Sequence, residues 1–534
     1  MRYNCLLLIL SVGIIFSCSR SAQSGKGETD DRPNIIFIMS DDHGYQAISA
    51  YTDHLTQTPN IDRLAREGMV FDRAFVTNSL CAPSRAVILT GKHSHKNGFK
   101  TNSDTFDGSQ PTVPKILREN GYQTAIFGKW HLKSDPTGFD TWKILIDQGE
   151  YYNPIFRSEN EERVDSGYVT DLITDFSIDW IESQRRENQP FFLMCHHKAP
   201  HREWLPREDH YPEFLEMDFP EPTTLFDDYE GRGTAAREAE MRILDHMGLT
   251  NDNKIKPSLA QEKGYEEFMD WYPGNYRFNL DRMNVTQRTA WDAAYDSVND
   301  DFESREFSNE ELTRWKYQRY MQDYLGTIAS VDDNVGRLLD YLDESGLADN
   351  TIVIYTSDQG FFLGEHGWFD KRFMYEESFR TPLLVRWPEK IKESSRDHHL
   401  VQNLDFAPTM LEVGRVEVPE DMQGRSLVPL FDQTEDSDSW RGALYYHYYE
   451  YPGIHGVKRH YGVRSDRYKL IHFYHDIDEW ELYDLKEDPG EMTNVYDNPE
   501  YKEIKNEVHL VLLGLARQYE DDEAAAMAEK ALKW

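Results

Sequence analysis

One stretch near the amino end of the chain reads Pro33-Asn34-Ile35-Ile36-Phe37-Ile38-Met39-Ser40-Asp41-Asp42. Its continuous apolar run predicts a strand that is buried on both faces, as the strands of a parallel sheet are. The run ends at two adjacent carboxylates, Asp41 and Asp42. Burying them costs free energy unless a cation or hydrogen-bond donors meet them, so they are candidate site residues. The alternative is a solvated turn at the end of the strand.

Three further apolar runs deliver ionisable residues at their carboxyl ends. They are Tyr122–Phe127 before Gly128-Lys129-Trp130-His131, Phe191–Cys195 before His196-His197-Lys198-Ala199-Pro200-His201, and Thr351–Tyr355 before Thr356-Ser357-Asp358-Gln359-Gly360. In open α/β sheets, ligands bind just outside these strand ends. The four runs therefore predict one shared site.

A cysteine stands at the start of another segment, Cys81-Ala82-Pro83-Ser84-Arg85, which an apolar run and Gly91 follow. Pro83 suits the first turn of a helix, which places Cys81 at a helix N-terminus. Free N–H groups and the helix dipole favour an anion there, and Arg85 lies about one turn further on. The alternative is a buried structural cysteine beside a helix cap.

The length of 534 residues fits a large α/β domain with an appendage. We predict a large mixed, mostly parallel sheet flanked by helices over residues 33–435, and a smaller antiparallel-sheet subdomain over residues 436–534. The acidic run Asp432–Asp438 marks the boundary. The predicted elements of the subdomain are the strands Tyr468–Phe473 and Trp480–Asp484 and a final helix from about Lys502 to Tyr519.

Two segments before this boundary differ in their patterns. Ser308-Asn309-Glu310-Glu311 is a capping box that opens a long amphipathic helix, whose apolar stripe reaches Leu342. Residues 203–307 are rich in Asp, Glu, Pro and Tyr and have weak periodicity. We expect them to form an insertion that rims or covers the site, because loops often carry specificity.

The first 18 residues are typical of an export signal. Arg2 precedes an apolar run from Leu6 to Phe16, too short to span a membrane as a stable helix. The run ends in Ile15-Phe16-Ser17-Cys18, which resembles a bacterial lipobox, in which the cysteine is lipidated and becomes the mature N-terminus. Residues 19–32 are polar and are predicted to be a flexible tether. We therefore expect an exported protein of a Gram-negative bacterium, lipid-anchored through Cys18 in the periplasm or at the outer membrane or cell surface; the alternative is an ordinary cleaved signal.

The net charge of −37, from 58 basic and 95 acidic residues, excludes nucleic acid and acidic membrane surfaces as favourable partners. An anionic substrate would need a local basic pocket within this repelling field.

The Cys-x-Pro-Ser-Arg segment resembles the signature of the type I sulfatases of the alkaline phosphatase superfamily, in which this cysteine is oxidised to formylglycine. Further matching pieces follow in the order of that family and cover most of the mature chain. They are Gly128-Lys129-Trp130-His131, Lys198-Ala199-Pro200-His201, Ser357-Asp358-Gln359-Gly360 and Asp370-Lys371-Arg372.

The resemblance implies one bound calcium ion. Its ligands would be Asp41, Asp42, Asp358 and Gln359, together with the modified residue at Cys81. Hard oxygen ligands suit Ca²⁺ or Mg²⁺ better than zinc. Gln359 departs from the Asn or His that many relatives have at this position.

The resemblance also implies the catalytic roles. One hydroxyl of the hydrated formylglycine at Cys81 attacks sulfur, and deprotonation of the second hydroxyl expels sulfate and restores the aldehyde. Arg85, Lys129 and Lys371 would balance the charge of the sulfate. His131 would act on the formylglycine hydroxyl. His201 would be the general acid that protonates the leaving sugar oxygen, with His196 and His197 as alternatives.

The implied substrate is a sulfated polysaccharide or oligosaccharide, and the implied partner is a maturation enzyme that makes formylglycine. Low-ranking candidates for substrate contacts are His197 and, on a predicted loop of the C-terminal subdomain, His447, His455, Arg459 and His460. Glycosaminoglycans and algal glycans such as ulvan are both open, and the acidic composition favours the marine case.

Two other functions compete with this interpretation. A phosphonate or phosphate ester hydrolase could use the same formylglycine. A catalytically dead glycan-binding lipoprotein is a second alternative, but such a module needs no nucleophile, and Cys81, Arg85, Lys129, His131 and Lys371 are all present.

Overall fold

The computed structural model describes Met1 and residues 30–268, 275–432 and 439–532. The predicted signal, Cys18 and most of the tether lie outside these residues, as does the predicted boundary at residues 435 and 436. Among the described residues, no helix combines the length and the apolar character that crossing a membrane requires.

The strands of the described chain follow one another from the amino to the carboxyl end. In order they are β1 (Asn34–Ser40), β2 (Met69–Phe71), β3 (Ala74–Phe75), β4 (Gln123–Gly128), β5 (Thr141–Leu145), β6 (Ile155–Ser158), β7 (Glu162–Val164), β8 (Phe191–His196), β9 (Thr351–Ser357), β10 (Phe362–Leu363), β11 (Phe369–Asp370), β12 (Leu383–Arg386), β13 (Ser395–Asp397), β14 (Val401–Gln402), β15 (Ala443–Tyr448), β16 (His460–Ser465), β17 (Tyr468–Phe473) and β18 (Glu479–Asp484).

The α-helices lie between and after these strands. They are α1 (Ile61–Arg66), α2 (Cys81–Thr90), α3 (Ser94–Asn97), α4 (Val113–Glu119), α5 (Val169–Ser183), α6 (Tyr211–Phe214), α7 (Thr234–Glu238), α8 (Ile243–His246), α9 (Pro257–Glu262), α10 (Asn275–Arg282), α11 (Val285–Ser304), α12 (Asn309–Glu344), α13 (Glu376–Phe379), α14 (Phe406–Val413), α15 (Val428–Phe431), α16 (Lys502–Gln518) and α17 (Asp522–Ala531).

A ten-stranded mixed sheet forms the centre of the larger part of the molecule. Its order is β13-β2-β12-β9-β1-β8-β4-β5-β6-β7. The central strands β9, β1, β8, β4 and β5 run parallel, and β12, β6 and β7 pair antiparallel with their neighbours. The predicted α/β architecture is confirmed, because the apolar runs found in the sequence are the central strands of this sheet.

Both faces of the sheet are covered, which explains why β1 shows no alternation of polar and apolar residues. Ile36 and Ile38 belong to a core that includes residues of α5 and α12. Ile35, Phe37 and Met39 belong to a second core, on the other face, that includes residues of α2, α4 and α14. Each fully buried side chain of this kind stabilises the fold by about 1.5–3 kcal/mol.

The C-terminal strands β15 to β18 form a separate antiparallel sheet, as predicted. The helix predicted from about Lys502 to Tyr519 is confirmed as α16, and a further helix that was not predicted, α17, follows it. The Asp521 side chain accepts a hydrogen bond from the Ala524 N–H and caps this second helix.

The insertion contains more regular structure than its weak periodicity indicates. Its longest element is α11, which a capping box between Asn284 and Gln287 opens. Trp291, Tyr295 and Phe302 are buried on one side of this helix, and the remaining positions are mostly polar. The long helix predicted after Ser308 is confirmed as α12, with the expected capping box.

Candidate active site

The four strands whose ends carry ionisable residues are neighbours in the sheet, in the order β9-β1-β8-β4. Their carboxyl ends therefore open on one edge. The Asp42 N–H donates to Asp358 Oδ1 at 3.2 Å, and the Lys129 N–H donates to the His196 carbonyl at 2.8 Å. Asp42 and Asp358, which are 316 positions apart along the chain, thus meet at this edge.

Three buried carboxylates form the centre of the site. Asp41, Asp42 and Asp358 each offer an oxygen atom, and these atoms lie within 4.8 Å of one another. Gln359 donates from Nε2 to Asp42 Oδ1. Burial raises the pKa of Asp42 to about 6, against the opposing effect of Lys371. Like charges packed this closely are stabilised by cations placed beside them.

The donor set fits a hard divalent cation. Asp41 Oδ1 and Gln359 Oε1 are buried and accept no hydrogen bond from any described residue. Both atoms belong to the predicted ligands. Carboxylate and amide oxygens at a buried site are the ligands that Ca²⁺ and Mg²⁺ prefer.

Three buried cations pair with the three carboxylates. The Lys129 ammonium contacts Asp41 Oδ2. The Lys371 ammonium donates to both Asp42 oxygens, at 2.6 and 2.7 Å. The Arg85 guanidinium contacts Asp358 Oδ2 at 2.9 Å. The structure thus brings the three predicted sulfate-binding cations to the predicted metal ligands.

Cys81 is the first residue of α2, as predicted, and Gly91 closes that helix in the left-handed region with φ 63°. Atoms of Cys81, Asp41 and His201 lie within 4.8 Å of one another. Burial raises the pKa of the Cys81 thiol to about 12. An unmodified thiol here is un-ionised at neutral pH and is a weak nucleophile.

Ser84 explains another position of the motif. Its hydroxyl donates to the Asp358 carbonyl oxygen and accepts from Asn403 Nδ2. This link fixes the first turn of α2 to the end of β9, so it holds Cys81 against the carboxylates.

The His201 ring has a defined orientation. Its Nδ1 lies 2.6 Å from the Arg202 carbonyl, which can only accept, so Nδ1 carries a hydrogen. Its Nε2 lies 3.7 Å from Asp42 Oδ2 and is the atom available for proton transfer. Burial and the neighbouring lysines hold the pKa of His201 well below its usual range. The negative charge of a bound sulfate ester opposes this effect.

The two alternative histidines lie differently. His196 Nδ1 is 3.2 Å from the Lys129 carbonyl oxygen. The His197 ring is buried, with Nε2 3.7 Å from Cys195 Sγ, and Cys195 belongs to the core under the sheet. Of the three candidate general acids, His201 is the one grouped with Cys81 and Asp41.

His131 neighbours a residue that the sequence analysis missed. The Gln148 amide donates to His131 Nε2 at 3.2 Å and accepts from the Lys129 ammonium. Burial and the charges of Lys129 and Arg85 hold the pKa of His131 well below its usual range, so this ring is neutral at neutral pH and can accept a proton. Gln148 follows β5, the next strand of the same sheet. Because ligands bind near the carboxyl ends of parallel strands, Gln148 could have been predicted if β5 had been recognised in the sequence.

Two of the predicted substrate contacts are wrong. His447 and His460 lie on β15 and β16 rather than on a loop, and both are buried. The His447 nitrogens contact Asp521 Oδ2 and the Tyr474 hydroxyl, each at 2.7 Å. His460 Nδ1 lies 2.8 Å from the Lys458 carbonyl, and its Nε2 accepts from the Met374 N–H at 3.1 Å. No ring nitrogen remains for a sugar.

The connection between β15 and β16 does reach the site. His455 Nε2 lies 3.4 Å from Asp370 Oδ2, and Asp370 immediately precedes Lys371. Arg459 donates to the Tyr451 carbonyl at 3.3 Å, so it contacts its own loop. The contact of Arg459 with substrate stays a prediction.

A cleft of about 410 Å³ opens beside His201. Its lining comes from three parts of the chain: the strand-end segments, the insertion and the C-terminal subdomain. The lining residues include Gln148, Tyr151, Lys198, His201, Glu203, Asn251, Phe278, Asn279 and Ile454. A separate cavity of about 970 Å³ beside α11 and α12 contains none of the predicted site residues.

Comparison with known proteins identifies the family. Residues 33–416 match the family model described as Sulfatase. The chain belongs to the sulfatase family. Residues 364–518 of this sulfatase match a second model, described as N-sulphoglucosamine sulphohydrolase, C-terminal.

Individual relatives agree with this assignment. An N-acetylglucosamine-6-O-sulfatase of Bacteroides thetaiotaomicron is 50% identical over 522 residues, which cover 97% of this sulfatase and 91% of that protein. A solved structure described as a complex with its substrate D-glucosamine-2-N,6-O-disulfate has a TM-score of 0.88 and 49% identity, covering 92% and 99% of the two chains. An ulvan-active sulfatase of Formosa agariphila is 24% identical over 519 residues, covering 94% and 84%. This sulfatase is therefore an enzyme that hydrolyses sulfate esters.

Proposed function

We propose that this sulfatase removes the 6-O-sulfate group from a glucosamine residue of a glycosaminoglycan-type glycan. The relative that is 50% identical is named an N-acetylglucosamine-6-O-sulfatase. The similar solved structure is described as a complex with a glucosamine that carries a 6-O-sulfate. The ulvan-active relative is only 24% identical. The similarity therefore favours the glycosaminoglycan alternative over the marine one.

One observation carries the chemistry: Cys81 meets Asp41 and His201 at a helix N-terminus, with three buried cations around them. A sulfate ester is an anion that develops further charge on its leaving oxygen. Arg85, Lys129 and Lys371 would stabilise that charge, and their burial beside the carboxylates supports this role because little reorganisation would be needed during the reaction.

We infer that a calcium ion binds among Asp41, Asp42, Asp358, Gln359 and the modified residue 81. Such an ion would polarise the sulfate and lower the pKa of a hydroxyl beside it. The two unpartnered oxygens of Asp41 and Gln359 support this inference.

We infer that a maturation enzyme converts the Cys81 thiol to formylglycine. The un-ionised thiol supports this inference, because it is a weak nucleophile where it stands. The hydrated aldehyde would supply one hydroxyl as the nucleophile for sulfur and a second hydroxyl whose deprotonation would release sulfate without attack by water. His131 would take the proton of the attacking hydroxyl. His201 would give a proton to the sugar oxygen as the S–O bond to the sugar breaks.

We also propose that the enzyme is exported and anchored through lipid on Cys18. The segment Ile15-Phe16-Ser17-Cys18 supports this location. Labelling of cells with a radioactive fatty acid should mark the wild-type protein and leave a Cys18→Ser variant unmarked.

Two measurements test the reaction. Mass spectrometry of the mature protein should find the peptide with residue 81 lighter by about 18 Da, the change from thiol to aldehyde. The enzyme should release sulfate from 6-sulfated N-acetylglucosamine faster than it hydrolyses phosphonate and phosphate monoesters, and Cys81→Ala should abolish release. A preference for phosphonate esters would overturn the proposal in favour of the competing hydrolase.

A further inference from the structure

Two large hydrophobic side chains stand in solvent on the walls of the cleft beside His201. Phe278 is 50% exposed and belongs to α10 of the insertion, and Ile454 is 43% exposed and belongs to the C-terminal subdomain. Exposed hydrophobic residues scattered singly need no explanation. These two come from distant parts of the chain and line the same cleft, next to the proposed general acid.

The turn that presents Ile454 is firmly held by the next residue. The His455 ring contacts the Glu240 carbonyl through Nδ1 at 2.6 Å, and the Glu240 N–H donates to the His455 carbonyl at 2.8 Å. The other ring nitrogen faces Asp370 at 3.4 Å. Ile454 therefore stays at the mouth of the cleft instead of folding into a core.

Phe278 is anchored in a similar way on α10. Its neighbour Asn279 donates a hydrogen bond to the Glu203 carboxylate. The Arg282 guanidinium lies over the Phe278 ring, 5.5 Å from its centre. The cleft thus has two exposed apolar side chains in its lining, and residues adjacent to each one hold its segment of the chain in place.

Polar groups line the cleft between these walls. They include the amides of Gln148 and Asn251, the Glu203 carboxylate and the Lys198 ammonium. A pyranose ring has apolar C–H faces and a rim of hydroxyl groups, and pockets of mixed apolar and polar lining suit it. His201, whose Nε2 would protonate the oxygen of the released sugar, is one of the residues that line the cleft.

We propose that Phe278 and Ile454 bind the C–H faces of the sugar ring that carries the scissile sulfate. This proposal rests on the proposed function, because it requires a sugar substrate. It makes the C-terminal subdomain a part of the substrate site. The cations that hold the sulfate group are separate from these two side chains.

Steady-state kinetics of Phe278→Ala and Ile454→Ala test this proposal. Each change should raise KM for 6-sulfated N-acetylglucosamine about tenfold and lower kcat less than threefold, because ring binding is lost while the reacting groups remain. The inhibition constant of inorganic sulfate should stay within twofold of the wild-type value, since sulfate alone occupies the anion site.

Matched controls are available in the same two parts of the chain. Val285 on α11 is 84% exposed and Leu510 on α16 is 59% exposed, and neither lines the cleft. Val285→Ala and Leu510→Ala should leave KM unchanged. The inference is overturned if Phe278→Ala and Ile454→Ala behave like these controls. Failure of the proposed function would be seen earlier, as a wild-type enzyme that cleaves other sulfate esters but no sugar 6-sulfate.

Discussion

Both carboxylate oxygens of Asp42 accept hydrogen bonds from one donor, the Lys371 ammonium, at 2.6 and 2.7 Å. The pair is buried, and Asp42 also accepts from Gln359. Asp42 therefore connects the proposed metal ligands to a proposed sulfate-binding cation.

Replacing Lys371 with Met should remove this cation while keeping the bulk of the side chain. We expect kcat/KM on a sugar 6-sulfate to fall about 10²–10³-fold, the range found when one preorganised electrostatic group is lost. Leaving Asp42 without its partner should also lower the free energy of unfolding by about 3–5 kcal/mol in calcium-free buffer. Urea denaturation and steady-state assays measure the two effects. A variant with more than a third of the wild-type kcat/KM would contradict this role.

Removal of calcium should destabilise the enzyme and abolish its activity. Without the ion, Asp41 Oδ1 and Gln359 Oε1 are buried and accept no hydrogen bond from any described residue. Any ligand that binds only the folded state raises the melting temperature. Chelation followed by titration with CaCl₂ should restore the wild-type Tm. Gln359→Met removes one proposed oxygen ligand. After chelation, this variant should need a calcium concentration at least tenfold higher than the wild type needs to recover its Tm. Equal Tm values with and without chelator would contradict the metal site.

His201→Asn should separate substrates by their leaving groups. A sugar alkoxide needs a proton, whereas 4-nitrophenolate does not, so kcat should fall about 10²–10⁴-fold on the sugar sulfate and only slightly on 4-nitrophenyl sulfate. His197→Asn is the matched control, because that ring faces Cys195 rather than the carboxylates. If His197→Asn lost more kcat on the sugar sulfate than His201→Asn does, His201 would not be the general acid.

His460 should make the fold sensitive to acid. Burial lowers its pKa to about 3, and its Nε2 must stay unprotonated to accept from the Met374 N–H. The unfolded chain takes up this proton near pH 6.5, so the free energy of unfolding should fall as the pH drops below that value. The contribution of His460 to the slope is about 1.4 kcal/mol per pH unit. Urea denaturation at pH 7.5, 6 and 5 measures how the free energy of unfolding depends on pH. This dependence should be weaker in His460→Phe than in the wild type, by the amount that corresponds to one bound proton. Equal slopes would refute this assignment.

The sequence was most informative where parallel strands end. Asp41, Lys129, His201 and Asp358 could be assigned to one site because the carboxyl ends of neighbouring parallel strands share an edge. Gln148 could not be assigned, because β5 mixes Thr, Trp and Lys with its apolar residues and does not resemble a buried strand.

Burial in the C-terminal sheet was harder to predict. His447 and His460 stand among aromatic residues that suggested a sugar-binding loop, but both side chains face protein. Sequence alone does not tell which face of such a strand is covered. The helix α11 was overlooked for a related reason, because its exposed positions are polar and hide a buried stripe of aromatic residues.

The contact between His455 and Asp370 bears on how this enzyme can be re-engineered. Asp370 and Arg372 flank Lys371 with positive φ angles of 78° and 90°, so the loop that presents the lysine relies on its surroundings for its shape. Part of those surroundings belongs to the C-terminal subdomain. Exchanging that subdomain between sulfatases is therefore expected to change the shape of the loop around Lys371. To keep this shape, a chimera must take the Ile454–Gly456 turn and the Asp370–Arg372 loop from the same parent.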